Sequence, residues 1–111
     1  MTTENSWQTI CSTSDLIKNS GVCALLANKE QVALFQVGKD TVYAISNFDP
    51  FGQANVLYRG LIGETKGNIY VASPLLKQRF VLNSGACLDD DTLAIKTYET
   101  RVTDGKLEIF G

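Results

Sequence analysis

The sequence predicts a small all-β domain of short antiparallel strands, and three observations carry that expectation. Apolar stretches are short and break off before they reach helical length. Turn-forming Asn, Asp and Gly recur between them, which is the spacing of a sandwich or barrel-like domain. Only the segment 12–21 offers a helix, a short one, with Ser12, Thr13 or Ser14 able to cap its start and Gly21 able to end it. The 111 residues leave room for a single domain, 1–111.

The first hairpin is expected from residues 22–26 and 31–35, two apolar runs flanking the polar turn Asn28-Lys29-Glu30. A strand over 41–46 follows the turn Gly38-Lys39-Asp40. Successive side chains of a strand point to opposite faces, so Val42, Ala44 and Ser46 share one face and Tyr43 and Ile45 the other. Leu61-Ile62 and Ile69-Tyr70-Val71 flank a turn signal over 64–68. Residues 79–82 form another short strand, closed by Asn83-Ser84-Gly85. At the C-terminus, Arg101-Val102 and residues 106–110 flank Thr103-Asp104-Gly105. Asp-Gly suits a primed hairpin turn because glycine takes positive φ without steric cost.

Composition narrows the function classes. Hydrophobic residues make up 44% and charged residues 20%, with a net charge of −2, an ordinary globular balance. The basic residues are scattered, which argues against nucleic acid as a partner. No apolar stretch approaches the roughly 18 residues of a membrane span. The polar N-terminus lacks the pattern of a signal peptide, so the expected location is cytoplasmic. Cys11, Cys23 and Cys87 are widely spaced and odd in number, a poor disulfide framework, and all three are expected to be small buried residues. There is no histidine, which removes Ser–His and Cys–His dyads and the commonest zinc and iron ligand. Asp89-Asp90-Asp91 lacks the spacing of a calcium loop and is expected to be solvated.

Two segments depart from plain strands and turns. One is Asn47-Phe48-Asp49-Pro50-Phe51-Gly52; the other runs from Val71 through Ser73-Pro74-Leu75-Leu76-Lys77-Gln78-Arg79 to Phe80, followed by Asn83-Ser84-Gly85. They hold the chain's two prolines, each just after a strand. Taken alone, Asp49 to Gly52 reads as a turn and Lys77-Gln78-Arg79 as a solvated one. Together they resemble the cluster-binding loops of Rieske iron–sulfur domains, Cys-Pro-His-x-Gly and Cys-Pro-x-His-x-x-x-Phe-x-x-x-x-Gly. Pro50, Pro74, Phe80 and Gly85 match that framework. Asp49 and Phe51 stand where the first Cys and His would be, and Ser73 and Leu76 where the second pair would be.

The resemblance therefore implies a Rieske-like domain of stacked small antiparallel sheets whose four ligand positions are vacated. A Rieske cluster is held by two thiolates and two imidazoles, so no cluster, other cofactor or metal is expected on this chain. A longer pattern is similar to one branch, the small subunits of cytoplasmic NADH-dependent nitrite reductases. It comprises Trp7, Gly21-Val22-Cys23-Ala24-Leu25-Leu26, Val32-Ala33-Leu34-Phe35, Ala44-Ile45-Ser46-Asn47, Arg59-Gly60-Leu61-Ile62 and Ser73-Pro74-Leu75 with Lys77-Gln78-Arg79-Phe80.

That similarity implies a large-subunit partner carrying FAD, an iron–sulfur cluster and sirohaem, which reduces nitrite to ammonia. This chain would be an accessory subunit of that oxidoreductase without catalytic residues. It would dock through Phe48, Asp49, Pro50, Phe51, Ser73, Pro74, Leu75, Lys77, Gln78 and Arg79. Of Phe48 and Phe51, one is expected to pack beneath its loop and the other to be exposed as an anchor. Two rival readings remain: an electron-transfer protein, and a free-standing interaction module with another partner.

Overall fold

The structure, a computed structural model, describes residues 6–37 and 41–111; the first five residues and the expected turn Gly38-Lys39-Asp40 lie outside the described residues. Among the described residues eleven strands follow one another: β1 (Trp7–Ser12), β2 (Gly21–Leu25), β3 (Gln31–Val37), β4 (Thr41–Ser46), β5 (Phe48–Asp49), β6 (Ala54–Asn55), β7 (Leu61–Thr65), β8 (Asn68–Ala72), β9 (Arg79–Val81), β10 (Thr97–Thr103) and β11 (Lys106–Phe110). They form a six-stranded antiparallel sheet in the order β1-β11-β10-β4-β3-β2, a ribbon β5-β6, and a three-stranded sheet β7-β8-β9. The all-β expectation holds. The chain leaves the large sheet at Asn47, builds both smaller elements, and returns at β10.

Strand alternation sorts the core into two clusters. On β4, Ile45 and Tyr43 face a cluster with Ala33, Phe35, Leu57, Val71, Phe80, Leu82 and Cys87. Ala44 and Val42 face the other, with Leu26, Val32, Leu34, Tyr98, Leu107 and Ile109. This is the two-faced pattern expected for residues 41–46. It also explains why Val32, Ala33, Leu34 and Phe35 are buried without a break: β3 is covered on both faces. The first cluster joins the large sheet to β8 and β9, and so fixes the small sheet that carries one of the two loops of interest.

The predicted hairpins form. Residues 21–25 pair with 31–35, and Asp104 and Gly105 both take positive φ, +51° and +73°, in the two-residue turn between β10 and β11. Lys66 and Gly67 do the same between β7 and β8. β1, β5 and β6 had no clear signal in the sequence. β1 mixes apolar with polar residues and is held at the sheet edge by pairing to β11.

Two expectations are corrected. The segment 12–21 yields only a single 3-10 turn, Thr13–Asp15. Ser12 caps it as expected, with a reciprocal bond from its own N–H to Asp15 Oδ2 at 3.1 Å, but Leu16 is already extended and Asn19 sits at φ +60°. Gly21 opens β2 rather than ending a helix. Of the cysteines, only Cys87 is buried; Cys11 is half-buried and Cys23 exposed, because β2 is an edge strand.

Several surface carboxylates are held below the usual carboxylate range. The hydroxyl of Tyr98, and then Lys96, hydrogen-bond Glu30; Arg79 holds Asp89, and Arg101 holds Glu108. A carboxylate whose folded pKa is depressed adds stability above its unfolded pKa, and loses it as pH falls through the folded value. The melting temperature is therefore expected to be flat from neutral pH to about pH 5 and to fall below about pH 4. Calorimetry across that range checks this, and Glu30→Gln should flatten the acid limb.

Candidate functional site

The two loops singled out in the sequence lie against each other. The first begins at Asn47, a fully buried side chain that anchors it. Asn47 Nδ2 donates to Gln31 Oε1 at 3.2 Å and to the Asn55 carbonyl at 3.1 Å, while its Oδ1 accepts from the Tyr58 N–H at 2.8 Å. After β5 the chain turns over Pro50 to Gln53. The turn is closed by the Phe51 N–H on Asp49 Oδ1 at 2.9 Å and the Gln53 N–H on the Asp49 carbonyl at 2.8 Å. An Asp whose side chain takes a backbone N–H two residues on is the standard way to fix such a turn.

The second loop spans Ser73 to Gln78. It is pinched by the Ser73 N–H on the Gln78 carbonyl at 2.9 Å and the Lys77 N–H on the Ser73 carbonyl at 3.1 Å. Lys77 sits at φ +65°, a strained conformation for a residue with a side chain. The Leu75 N–H reaches Ser73 Oγ at 3.2 Å.

Between the loops the Ser73 hydroxyl donates directly to Asp49 Oδ2, with Asp49 fully buried and Ser73 exposed by 1%. A Cβ on Gly52 would lie 2.4 Å from Leu75 Cδ1 and 3.1 Å from Asp49 Oδ2, so the loops approach closely here and a side chain at residue 52 would require the Leu75 side chain to turn aside. Asp49 and Ser73, aligned above with the two cysteine positions, thus bond to each other 24 residues apart in sequence.

The two residues aligned above with the histidine positions, Phe51 and Leu76, behave differently. The Phe51 ring packs on Phe80, with centroids 6.2 Å apart, inside the first core cluster. Leu76 is 58% exposed. A Rieske cluster does not fit these four side chains. Two of them carry no donor atom, the other two satisfy each other, and the chain has no imidazole to offer. Among the described residues no group of three or more Cys, Asp, Glu or His is placed to hold a metal. Partial desolvation raises the Cys23 thiol above its ordinary value, although the residue is exposed.

The docking residues expected from sequence separate into two groups. Asp49 and Ser73 are buried and cannot themselves face a partner; charged and polar loop residues are usually exposed, and these two escape that rule only through their mutual bond. Phe51 is the aromatic that packs inward and Phe48, 38% exposed, the one that faces out. Gln78 is half-buried, with its Oε1 lacking a hydrogen-bond partner among the described residues. Arg79 is committed to Asp89, through its N–H at 2.8 Å and its Nη2 at 2.9 Å, and crosses the Tyr70 ring. What faces out is Phe48, Pro74, Leu75, Leu76 and Lys77. Sequence reasoning missed Arg59 and Leu61 beside them; Leu61, 79% exposed at the start of β7, carried only an ordinary strand signal.

This fold, with paired loops after β4 and β8, defines a Rieske-like domain, and residues 6–110 match the family described as Rieske-like [2Fe-2S] domain. The chain is 49% identical to the nitrite reductase (NADH) small subunit of Escherichia coli K12, over 96% of this chain and 99% of that protein. The crystal structure of a chain proposed to be the NADH-dependent nitrite reductase small subunit of Mycobacterium tuberculosis superposes with a TM-score of 0.92 at 40% identity, covering 98% and 97% of the two chains. The nitrite reductase [NAD(P)H] large subunit of Klebsiella oxytoca is 41% identical over 91% of this chain, a match that covers 10% of that longer protein. The chain belongs to the nitrite reductase (NADH) small-subunit family.

Proposed function

We propose that this chain is the accessory subunit of a cytoplasmic NADH-dependent nitrite reductase, carries no redox group, and docks on the large subunit through the surface of its two paired loops. The observation that carries this reading is the Klebsiella relative, in which a stretch similar to this chain is part of the large subunit's own polypeptide. A covalent link supplies an effective concentration in the millimolar range, so a separate chain must replace it with an interface.

The outward residues of the loop pair suit that task. Leu61, Leu75 and Leu76 are 79%, 48% and 58% exposed and lie with Pro74 on or beside the loops. A soluble monomer rarely leaves so much apolar surface together without a use for it. The Asp49–Ser73 bond holds the two loops in the position that a cluster would otherwise fix. The chemistry then belongs to the large subunit, where FAD, an iron–sulfur cluster and sirohaem are expected, and the accessory chain stabilises that partner by binding its folded form.

Titration of the purified chain into the purified large subunit tests the proposal. A saturable complex is expected, from a small chain that is colourless and iron-free. Visible charge-transfer absorption with two irons per chain, or no complex at any concentration reached, would overturn it.

A further inference from the structure

Beside the loop pair lies a groove of about 360 Å³ lined by Arg59, Leu61, Ala72, Ser73, Pro74 and Lys77. We propose that this groove seats an apolar side chain flanked by carboxylates on the large subunit of nitrite reductase. The inference rests on the docking reading above and names the chemistry of the surface that docks.

The walls are apolar: Leu61, Ala72 and Pro74, with Leu61 exposed by 79% at the start of an edge strand. The one polar group among the lining side chains besides the cations is the Ser73 hydroxyl, and it is already engaged. It donates to Asp49 and accepts from the Leu75 N–H. The groove therefore offers no free neutral hydrogen-bonding side chain, and its size suits a side chain or two rather than a cofactor.

Both charges at its lip are positive. The Lys77 ammonium makes no hydrogen bond or ion pair among the described residues, and the Arg59 guanidinium meets no carboxylate there, only Tyr58, through Nε on its Oη at 2.8 Å and over its ring at 5.4 Å. Among the described residues no carboxylate lines the groove; Asp49, the carboxylate bonded to its Ser73, is fully buried. An apolar pocket with two uncompensated cations at its rim complements an apolar anchor with acidic neighbours. Such an arrangement places the anchor in a dry centre and lets the charges set orientation and approach rate.

The Lys77 backbone is held at φ +65°, where a glycine would be unstrained, as Lys29 and Lys66 are in ordinary turns at +76° and +50°. A lysine kept at a glycine-like position places its ammonium at the lip at the expense of local stability.

The test uses the full chain and the purified large subunit, with affinities measured at low and high salt. Four variants are compared: Leu61→Ser, Lys77→Glu, Lys77→Gly and, as a control far along the sheet, Lys106→Glu. Leu61→Ser should weaken binding at least about tenfold, the penalty of losing an interface anchor. Lys77→Glu should weaken it by at least about fivefold at low salt and reduce its salt dependence. Lys77→Gly should lose affinity while melting no lower than the unaltered chain, because glycine relieves the strained φ. Lys106→Glu should bind like the unaltered chain.

If the unaltered chain binds but Leu61→Ser or Lys77→Glu stays within about twofold of it, the groove is wrong and the docking reading survives. If the unaltered chain does not bind, both fall. Sedimentation that reveals a dimer of this chain, dissolved by Leu61→Ser, would also overturn the proposal by naming a second copy as the occupant.

Discussion

Replacing Asp49 by alanine is expected to destabilise the fold by about 3 kcal/mol and to lower its melting temperature by about 10 °C. Asp49 is fully buried and serves three groups: its carboxylate accepts from the Ser73 hydroxyl and the Phe51 N–H, and its backbone carbonyl from the Gln53 N–H. The last survives truncation. The first two lose their acceptor, and a buried donor left unpaired costs about 1–3 kcal/mol. Ser73→Ala should cost less, about 2 kcal/mol, since only one bond to the carboxylate is lost and the Leu75 N–H is near the surface. The two changes combined should be less damaging than their sum by about 1–2 kcal/mol, because each removes the same bond. Chemical denaturation of the four proteins measures this. Strict additivity would mean that the loops are held together by something other than this pair.

The effect should extend to binding. With the bond gone, the one side-chain hydrogen bond between the loops among the described residues is lost, and the surface from Phe48 to Lys77 would be presented in more than one arrangement. Affinity for the large subunit is thus expected to drop with Asp49→Ala even under conditions where the chain remains folded, since a poorly ordered surface must be ordered on binding.

How far the sequence could foresee this differs from residue to residue. The frame was legible: two prolines after strands, with Phe80 and Gly85 at fixed distances, placed both loops correctly. What Asp49 does was not. A carboxylate in a turn is normally solvated, and its burial here depends on a partner 24 residues away on another sheet. The pairing of Arg79 with Asp89 was hidden for the same kind of reason, since it depends on the strand order that brings residue 89 beside β9. The faces of β4 were legible because alternation is a local property, and so was the Asp104-Gly105 turn. β5 and β6 were not, being two residues each and held by tertiary contacts.

Gly85→Ala is the second substitution expected to be severe, at about 3 kcal/mol. Gly85 sits at φ +78°, and a Cβ there would lie 2.1 Å from the Ile95 carbonyl oxygen. That carbonyl cannot step aside freely, since the Ile95 N–H is itself bonded to the Gly85 carbonyl at 2.9 Å and the Gly85 N–H to the Val81 carbonyl at 2.7 Å. Gly67→Ala provides the comparison. It has nearly the same φ, +82°, but nothing within 4 Å of the added Cβ. It should therefore cost only the conformational part, about 1 kcal/mol. Melting curves for the two variants separate strain from collision; equal losses would show that the approach of Ile95 is not what requires glycine at residue 85.

The central claim is that a Rieske-like frame has become a docking surface, with its two cysteine positions, Asp49 and Ser73, turned into an internal tie. Hydrogen exchange of this chain, alone and with the large subunit, tests it most directly. Protection on complex formation is expected in residues 48–53, 73–78 and the start of β7. Protection confined to the opposite elements, such as the Asp104-Gly105 turn and β1, with the loop pair unchanged, would contradict it.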